Sequence, residues 1–393
     1  MKKFKAIAGW LHLWIGLVTG IIVVIVSITG CIQVFDEELF NLFHRDLVKV
    51  EKTGSTKPVS ELLAIAQKAV GKKKPVTDIK ISEDNYSYVF TASKANKKQD
   101  IGLSYFSQFK YQEDIYVNQY TGKVLGIIDT RYEFFNVMEQ LHRQLLLVKP
   151  VGSVIVGTAV LLFLLMMITG FILWLPKNYK QFKQRVTIKW GAKWKRVNYD
   201  THNSFGFFVL PIAIIIAITG LVWAFKWWET GVFKMLGSSG KVSLVRTVPA
   251  IATADTTGKN TVDVIYANLR QQIGDNYKVI GFNLPGKKSN VVMAFTYVKN
   301  TTDSWNNMSY YYFDSRTGKM FDKLEHQNKP LALKWRNSNK YIHTGRIFGW
   351  PTQILAFLAA LVCASLPITG FLIWWGKRNK KKPAGKRLQV SLN

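Results

Sequence analysis

Four stretches of this 393-residue chain contain no Asp, Glu, Lys or Arg: 6–35, 151–175, 201–225 and 347–376, of 30, 25, 25 and 30 residues. About 20 helical residues cross the hydrocarbon core of a bilayer, so these runs predict four transmembrane helices. Lys2, Lys3 and Lys5 precede the first run, as they would precede a signal peptide. The run is far longer than a cleavable apolar segment and lacks a clear small-x-small cleavage site, so it reads as an uncleaved anchor.

The net charge of +29 is concentrated. The N-terminus carries three basic residues, the segment from Lys177 to Arg196 eight, and the tail from Lys377 seven. All three fall on one side if the four helices alternate, and the excess of Lys and Arg makes that side cytoplasmic. Anionic lipid headgroups are the expected partner of these clusters. Nucleic-acid binding is excluded as a reading, because no recognisable nucleic-acid fold accompanies the charge. The two cysteines, Cys31 and Cys363, lie within the first and fourth runs and form no CxxC pair.

The expected organisation is a first span at 6–35, an external domain at 36–149 and a second span at 151–175. A basic cytoplasmic loop follows at 176–200, then a third span at 201–228, a second external domain at 229–346, a fourth span at 347–376 and a basic cytoplasmic tail at 377–393. Tryptophans gather at the span ends (Trp10, Trp14, Trp174, Trp223, Trp227, Trp228, Trp350, Trp374 and Trp375), as an interfacial belt requires. Each external segment opens with an amphipathic helical pattern, at 59–71 and 261–274, with Ser60 as a plausible N-cap of the first. Strand-like runs follow at 76–81, 86–91 and 115–127, and again at 278–284, 291–298 and 310–322. The Thr-Gly-Lys turns at 121–123 and 317–319 supply the positive φ of a tight hairpin. Both segments read as small α+β domains, one helix on a short antiparallel sheet, so the chain reads as an internal duplication.

The duplication extends to the histidines. In "LHLWIG…VSITG" and "THNSFG…AITG", His12 and His202 precede a glycine by four residues and the closing glycine by eighteen. In "LHRQLLLVKPVG" and "IHTGRIFGWPTQ", His142 and His343 each precede a proline by eight. Spans one and three run outward, so His12 and His202 sit near the cytoplasmic end; spans two and four run inward, so His142 and His343 sit near the external end. The pairs His12–His202 and His142–His343 follow from this topology.

Neutral imidazole is a good axial ligand for haem iron, and each iron has two axial positions. Two haems b are therefore expected, held without covalent attachment because no C-x-x-C-H occurs. A lone histidine at a membrane edge is ordinarily an interfacial polar residue; four in symmetric register are not accounted for that way. His12, Gly16 and Gly20 share a helical face, and Gly206 follows His202 by the same step, which would let a flat macrocycle approach. The same small-xxx-small spacing also packs helices in lipid. His142 lies nine residues before the second uncharged run, so a helix continuing outward and kinked at Pro150 is expected to carry it. His44 and His326 read as solvated surface.

The chain resembles the PepSY-associated transmembrane family, iron-regulated bacterial membrane proteins with siderophore-reductase members. The likeness rests on "LHLWIGL", "LHRQLLL", "IHTGRIFG", "ITGFILWLPK" and "ITGFLIWWGK" and on the two Thr-Gly-Lys hairpins; "THNSFGF" departs from the family's usual form. The resemblance implies PepSY-like external domains, a bacterial inner-membrane location, and a ferric siderophore or other ferric chelate as substrate. With no G-x-G-x-x-G or P-loop, electrons would come from a quinol or a cytoplasmic reductase. A second function is a membrane-anchored binding or regulatory protein for peptide or protease, which leaves the paired histidines idle. Transport ranks last, since four spans without Asp, Glu, Lys or Arg offer no site for a coupling ion.

Overall fold

The computed structural model describes residues 2–239, 243–248, 261–286, 289–299 and 306–378. The chain begins with α1 (Lys2–Val34), α2 (Asp36–Phe43), α3 (Arg45–Val48) and α4 (Val59–Val70). Four strands follow, β1 (Val76–Ser82), β2 (Tyr88–Ala95), β3 (Phe109–Val117) and β4 (Val124–Asp129), then α5 (Phe134–Gln144) and α6 (Lys149–Trp174). After α7 (Tyr179–Val186), α8 (Trp194–Ala224), α9 (Lys226–Met235) and α10 (Thr261–Ile273) come β5 (Tyr277–Asn283), β6 (Val291–Val298), β7 (Met308–Asp314) and β8 (Met320–Leu324). α11 (Leu331–His343) and α12 (Trp350–Arg378) end the described chain. Among the described residues, α1, α6, α8 and α12 are the helices long and apolar enough to cross a membrane. The part of the tail beyond Arg378 lies outside the described residues.

Two compact units divide this chain. The first takes 1–27, 159–214 and 359–393, and so holds the first part of α1, the last part of α6, α7, the first part of α8 and the last part of α12. Small and apolar side chains fill it: Ala8, Val23, Phe163, Met167, Val209, Ala213 and Ala364 are buried. Trp174 lies flat on Phe207, ring centres 3.8 Å apart. Arg185, in the last turn of α7, donates to the Leu173 carbonyl (2.9 Å) and satisfies one of the orphan carbonyls at the end of α6. On the outside, Ile21 is 76% exposed and Val18 73%; such apolar side chains suit lipid rather than water.

The second unit, 28–158 and 215–358, contains all eight strands. They form one antiparallel sheet in the order β4-β3-β2-β1-β5-β6-β7-β8. The expectation of two separate short sheets is thereby corrected: β1 and β5 pair from Asp78↔Asn283 to Ser82↔Val279. Each of these strands would otherwise present an edge of unpaired N–H and C=O groups, and joining them removes both edges. α4 and α10 cover one face, burying Leu62, Ala66, Ile265 and Leu269 against Ile79, Phe90, Ile115, Ile280 and Phe282. The hairpin glycines Gly122 and Gly318 take positive φ (76° and 70°), as their turns require.

On the opposite face a polar row crosses four strands: Asp114 opposite Thr91, Thr91 opposite Asp78, and Asp78 opposite Asn283. This row lines a cavity of about 920 Å³, to which Glu139, Lys340, Tyr341 and Arg346 also contribute.

Three further expectations are corrected. α5 is a separate helix, cut off from α6 by left-handed Leu145 and Leu146 (φ 54° and 57°), so no continuous helix kinks at Pro150. The third span ends at Ala224, and Lys226–Met235 is a helix of its own. His326 is 5% exposed rather than solvated, and His44 packs against Phe40 with its Nε2 3.7 Å from Glu133.

Two candidate bis-histidine centres

His12 stands in the first third of α1 and His202 in the first third of α8, both within the first unit. Their ring centres are 6.3 Å apart and their planes cross at 83°. In the second unit, His142 from the last turn of α5 meets His343, the last residue of α11. Those ring centres are 6.1 Å apart at 72°. The four sequence-selected histidines therefore come together as two pairs, in the combinations that alternating spans require.

Each histidine meets the Thr-Gly of an Ile-Thr-Gly segment on another helix. His12 Nδ1 lies 3.0 Å from the Met166 carbonyl and 3.4 Å from Thr169 Oγ1. A carbonyl only accepts, so the proton sits on Nδ1 and Nε2 carries the lone pair. His202 Nδ1 lies 2.8 Å from Thr369 Oγ1, and His343 Nδ1 2.9 Å from Thr219 Oγ1. Those hydroxyls donate their own protons to carbonyls of their helices, Leu366 (3.0 Å) and Ile215 (2.7 Å). They accept from the rings, and again Nε2 is left as the lone-pair atom. His142 Nδ1 repeats the contact with Thr29 Oγ1 at 3.2 Å. Two buried or partly buried asparagines one turn before a histidine add a further tie: Asn198 donates to the Thr369 carbonyl (3.1 Å) and Asn339 to the Thr219 carbonyl (3.0 Å).

The glycine of each segment makes room for the ring. A Cβ at Gly170 would stand 2.8 Å from His12 Cε1, and at Gly370 3.2 Å from His202 Cε1. At Gly30 it would stand 3.3 Å from His142 Cε1, and at Gly220 3.1 Å from His343 Cε1. Outside the spans, burial and then His142 beside it push the His343 pKa down to about 3, so this imidazole is neutral at physiological pH. Trp223 meets the same ring edge-on, ring centres 5.3 Å apart.

The donor set can be tested against haem. A metal–imidazole bond of about 2 Å, plus about 1 Å from ring nitrogen to ring centre, sets two trans axial rings roughly 6 Å apart. The spacings of 6.3 and 6.1 Å match. Among the described residues no three of His, Cys, Asp and Glu gather to hold a bare ion. Two imidazoles suit a metal that brings its own equatorial ligands, which a porphyrin does. Metal-bound histidines generally donate their second ring nitrogen to an oxygen, and this is the arrangement at His12, His202 and His343.

The sequence model of one protein family, described as PepSY-associated TM region, matches residues 9–377. The chain belongs to that family. No curated protein matches it. Membership and the four apolar helices make this PepSY-associated protein a multi-pass membrane protein.

The threonines and glycines of the four Ile-Thr-Gly segments touch the candidate histidines, a contact the sequence alone did not suggest. The closing Thr-Gly entered there as a repeat marker and, in two spans, as part of the family likeness, though its occurrence near the end of every span was the available signal. For Gly16, Gly20 and Gly206 the sequence leaves open approach of a flat macrocycle and packing of helices side by side, the glycines alone favouring packing. A Cβ at those positions would meet Met166 Sδ (3.1 Å), Pro367 Cβ (3.4 Å) and Leu366 Cδ2 (3.7 Å), so in this PepSY-associated protein they seat helix on helix.

Proposed function

We propose that this PepSY-associated protein is a two-haem electron-transfer protein of the bacterial inner membrane that reduces an external ferric chelate, most simply a ferric siderophore. The observation that carries the reading is the histidine geometry: two ring pairs about 6 Å apart, with an oxygen beside each Nδ1 that at His12, His202 and His343 leaves Nε2 for a metal. His12 and His202 would hold one haem b, and His142 and His343 the other. Bound there, haem supplies reversible one-electron chemistry between ferric and ferrous iron.

The chain's own residues contribute binding, orientation and access. The Met166 carbonyl, Thr369 and Thr219 hold the tautomers of His12, His202 and His343, Thr29 lies against His142 Nδ1, and Gly170, Gly370, Gly30 and Gly220 let the rings approach. With alternating spans and basic loops inside, the first pair belongs to the cytoplasmic side and the second to the external side. The cavity of about 920 Å³ is lined by Glu139 and Lys340, one turn before His142 and His343, and is of the size of a site for a chelate. Loss of one charge on reduction to Fe(II) weakens hard-oxygen chelation and releases the metal. The two external segments are PepSY-like domains arising from an internal duplication, which the repeated order of one helix and four strands supports.

Absorption spectra of the detergent-purified protein, oxidised and then dithionite-reduced, test this directly. About two non-covalent haems b per chain are expected, as two bis-histidine sites require. Each His→Ala variant at positions 12, 142, 202 and 343 should lose or perturb one of them. A colourless protein from haem-replete cells would transfer the reading to a peptide-binding or protease-regulating role.

A further inference from the structure

We propose that a recess beside His202 is the binding site of the electron donor, and that the donor is a membrane quinol. The inference rests on the electron-transfer reading and supplies its missing input.

The recess, of about 480 Å³, lies in the first unit and is lined by Trp190, Trp194, Val197, Asn198, Thr201 and Thr369. Its connection to the candidate centre is direct. Thr369 lines the recess, and the Oγ1 of the same residue accepts from His202 Nδ1 at 2.8 Å. A molecule seated there is one residue away from an axial ligand.

The lining selects for a flat aromatic ring carrying hydroxyls. Trp190 is 70% exposed and Trp194 58%, so among the described residues both indoles keep much of their surface open. Stacking on such faces is worth about 0.5–1.5 kcal/mol beyond the area covered. Asn198 spends its amide nitrogen on the Thr369 carbonyl (3.1 Å), and its amide oxygen remains an acceptor for a ring hydroxyl. Thr201 donates to the Val197 carbonyl (2.8 Å) and keeps its lone pairs for the same use.

Position argues for a donor arriving from the bilayer. Thr201 opens the uncharged part of α8 and Thr369 lies in that of α12, with Trp194 about two turns before the former, and tryptophans at helix ends mark the lipid–water boundary. A reduced flavin shares the ring chemistry, and Lys193, Lys195 and Arg196 beside the tryptophans would attract its phosphate. The two sources are therefore separated by experiment.

The redox balance closes with an external ferric chelate as oxidant. One quinol loses two electrons and two protons and becomes the quinone. Two ferric chelates each gain one electron and become ferrous, and the two protons leave to water on the side of the recess.

The test uses the full-length protein in lipid nanodiscs with a photoreactive azido-quinone and mass-spectrometric mapping of the label. Label on 187–201, displaced by excess unlabelled quinol and reduced about tenfold or more in Trp190→Leu, is the expected result. Trp190 is a surface residue outside any helix, and competition in the wild-type chain reads the site even if that variant is unstable. Absence of saturable label, label confined to other segments, or protection by riboflavin phosphate but not by quinol overturns the proposal. Because binding is read without haem, saturable labelling of a haem-free chain would support the recess while ending the di-haem reading. Two haems without saturable labelling would do the reverse.

Discussion

At the scale of single residues, the threonine that holds each ring is as informative as the histidine itself. Thr219→Val removes the hydroxyl that accepts from His343 Nδ1–H and leaves only the Ile216 carbonyl to hold the ring, a loss of about 0.5–1.5 kcal/mol. Loss of such an outer partner typically weakens metal affinity by about 10–100-fold. Haem occupancy and potential of the external centre should change in Thr219→Val and return in Thr219→Ser; equal behaviour of the two variants would refute the orienting role. Lys329 is a residue of another kind, buried with its ammonium over the Tyr310 ring at 4.5 Å. Desolvation, aided by the charge of Lys334, pulls its pKa from 10.5 down to about 7. Between those values the unfolded chain binds the proton and the folded chain does not, so stability rises with pH across that window, and the penalty is fully present below it. Lys329→Met should therefore raise thermal stability near pH 6 and lose most of that gain by about pH 10. A melting shift of the same size at both ends would contradict this.

Among elements, the junction between α5 and α6 is the one under strain. Leu145 and Leu146 both take left-handed conformations directly after the turn that carries His142. Such a conformation costs an L-residue about 1–2 kcal/mol and is worst for β-branched side chains. The corner separates α5, whose His142 meets Thr29 and Gly30, from the start of α6. Leu145→Val should destabilise by about 1–2 kcal/mol beyond the small loss of apolar volume and perturb the external centre, whereas Leu145→Gly should relieve the backbone. Melting curves and haem spectra of the two variants decide it; a Val variant as stable as the Gly variant would mean that the corner carries no strain. A second element, the start of the α12 segment, is fixed by Arg346, which reaches Asp36 (2.8 Å), Glu38 (2.7 Å) and the Val34 carbonyl (3.1 Å) at the end of α1. Helix ends that carry the Thr29–Gly30 notch and His343 are thus tied by charge.

For the whole molecule, the joined sheet makes the two strand-bearing segments one cooperative body within its unit. Phe282 on β5 is 1% exposed in a core that includes Ile79, Phe90 and Ile115 from the other segment. Phe282→Ala should cost about 3–5 kcal/mol. Hydrogen exchange should then show protection falling on β1–β4 as well as β5–β8. Loss confined to β5–β8 would show that the two halves fold independently. Much of this architecture was legible in the chain. Uncharged runs longer than a bilayer core dictate spanning helices whatever their neighbours, because lipid leaves backbone groups no other partner. Local periodicity placed β1 within one residue and β6 at its observed bounds, since both strands alternate against a covered face. Repeat register singled out His12, His142, His202 and His343, and alternation of the spans paired them. Other features had no local signature. The pairing of β1 with β5 is a choice between edges that look alike in sequence, and the contact of each histidine with a Thr-Gly more than a hundred residues away exists only once the helices are packed. Sequence periodicity reports the environment of one element at a time; which elements share that environment is set by packing and hydrogen bonding between distant segments, and this the tertiary structure alone decided.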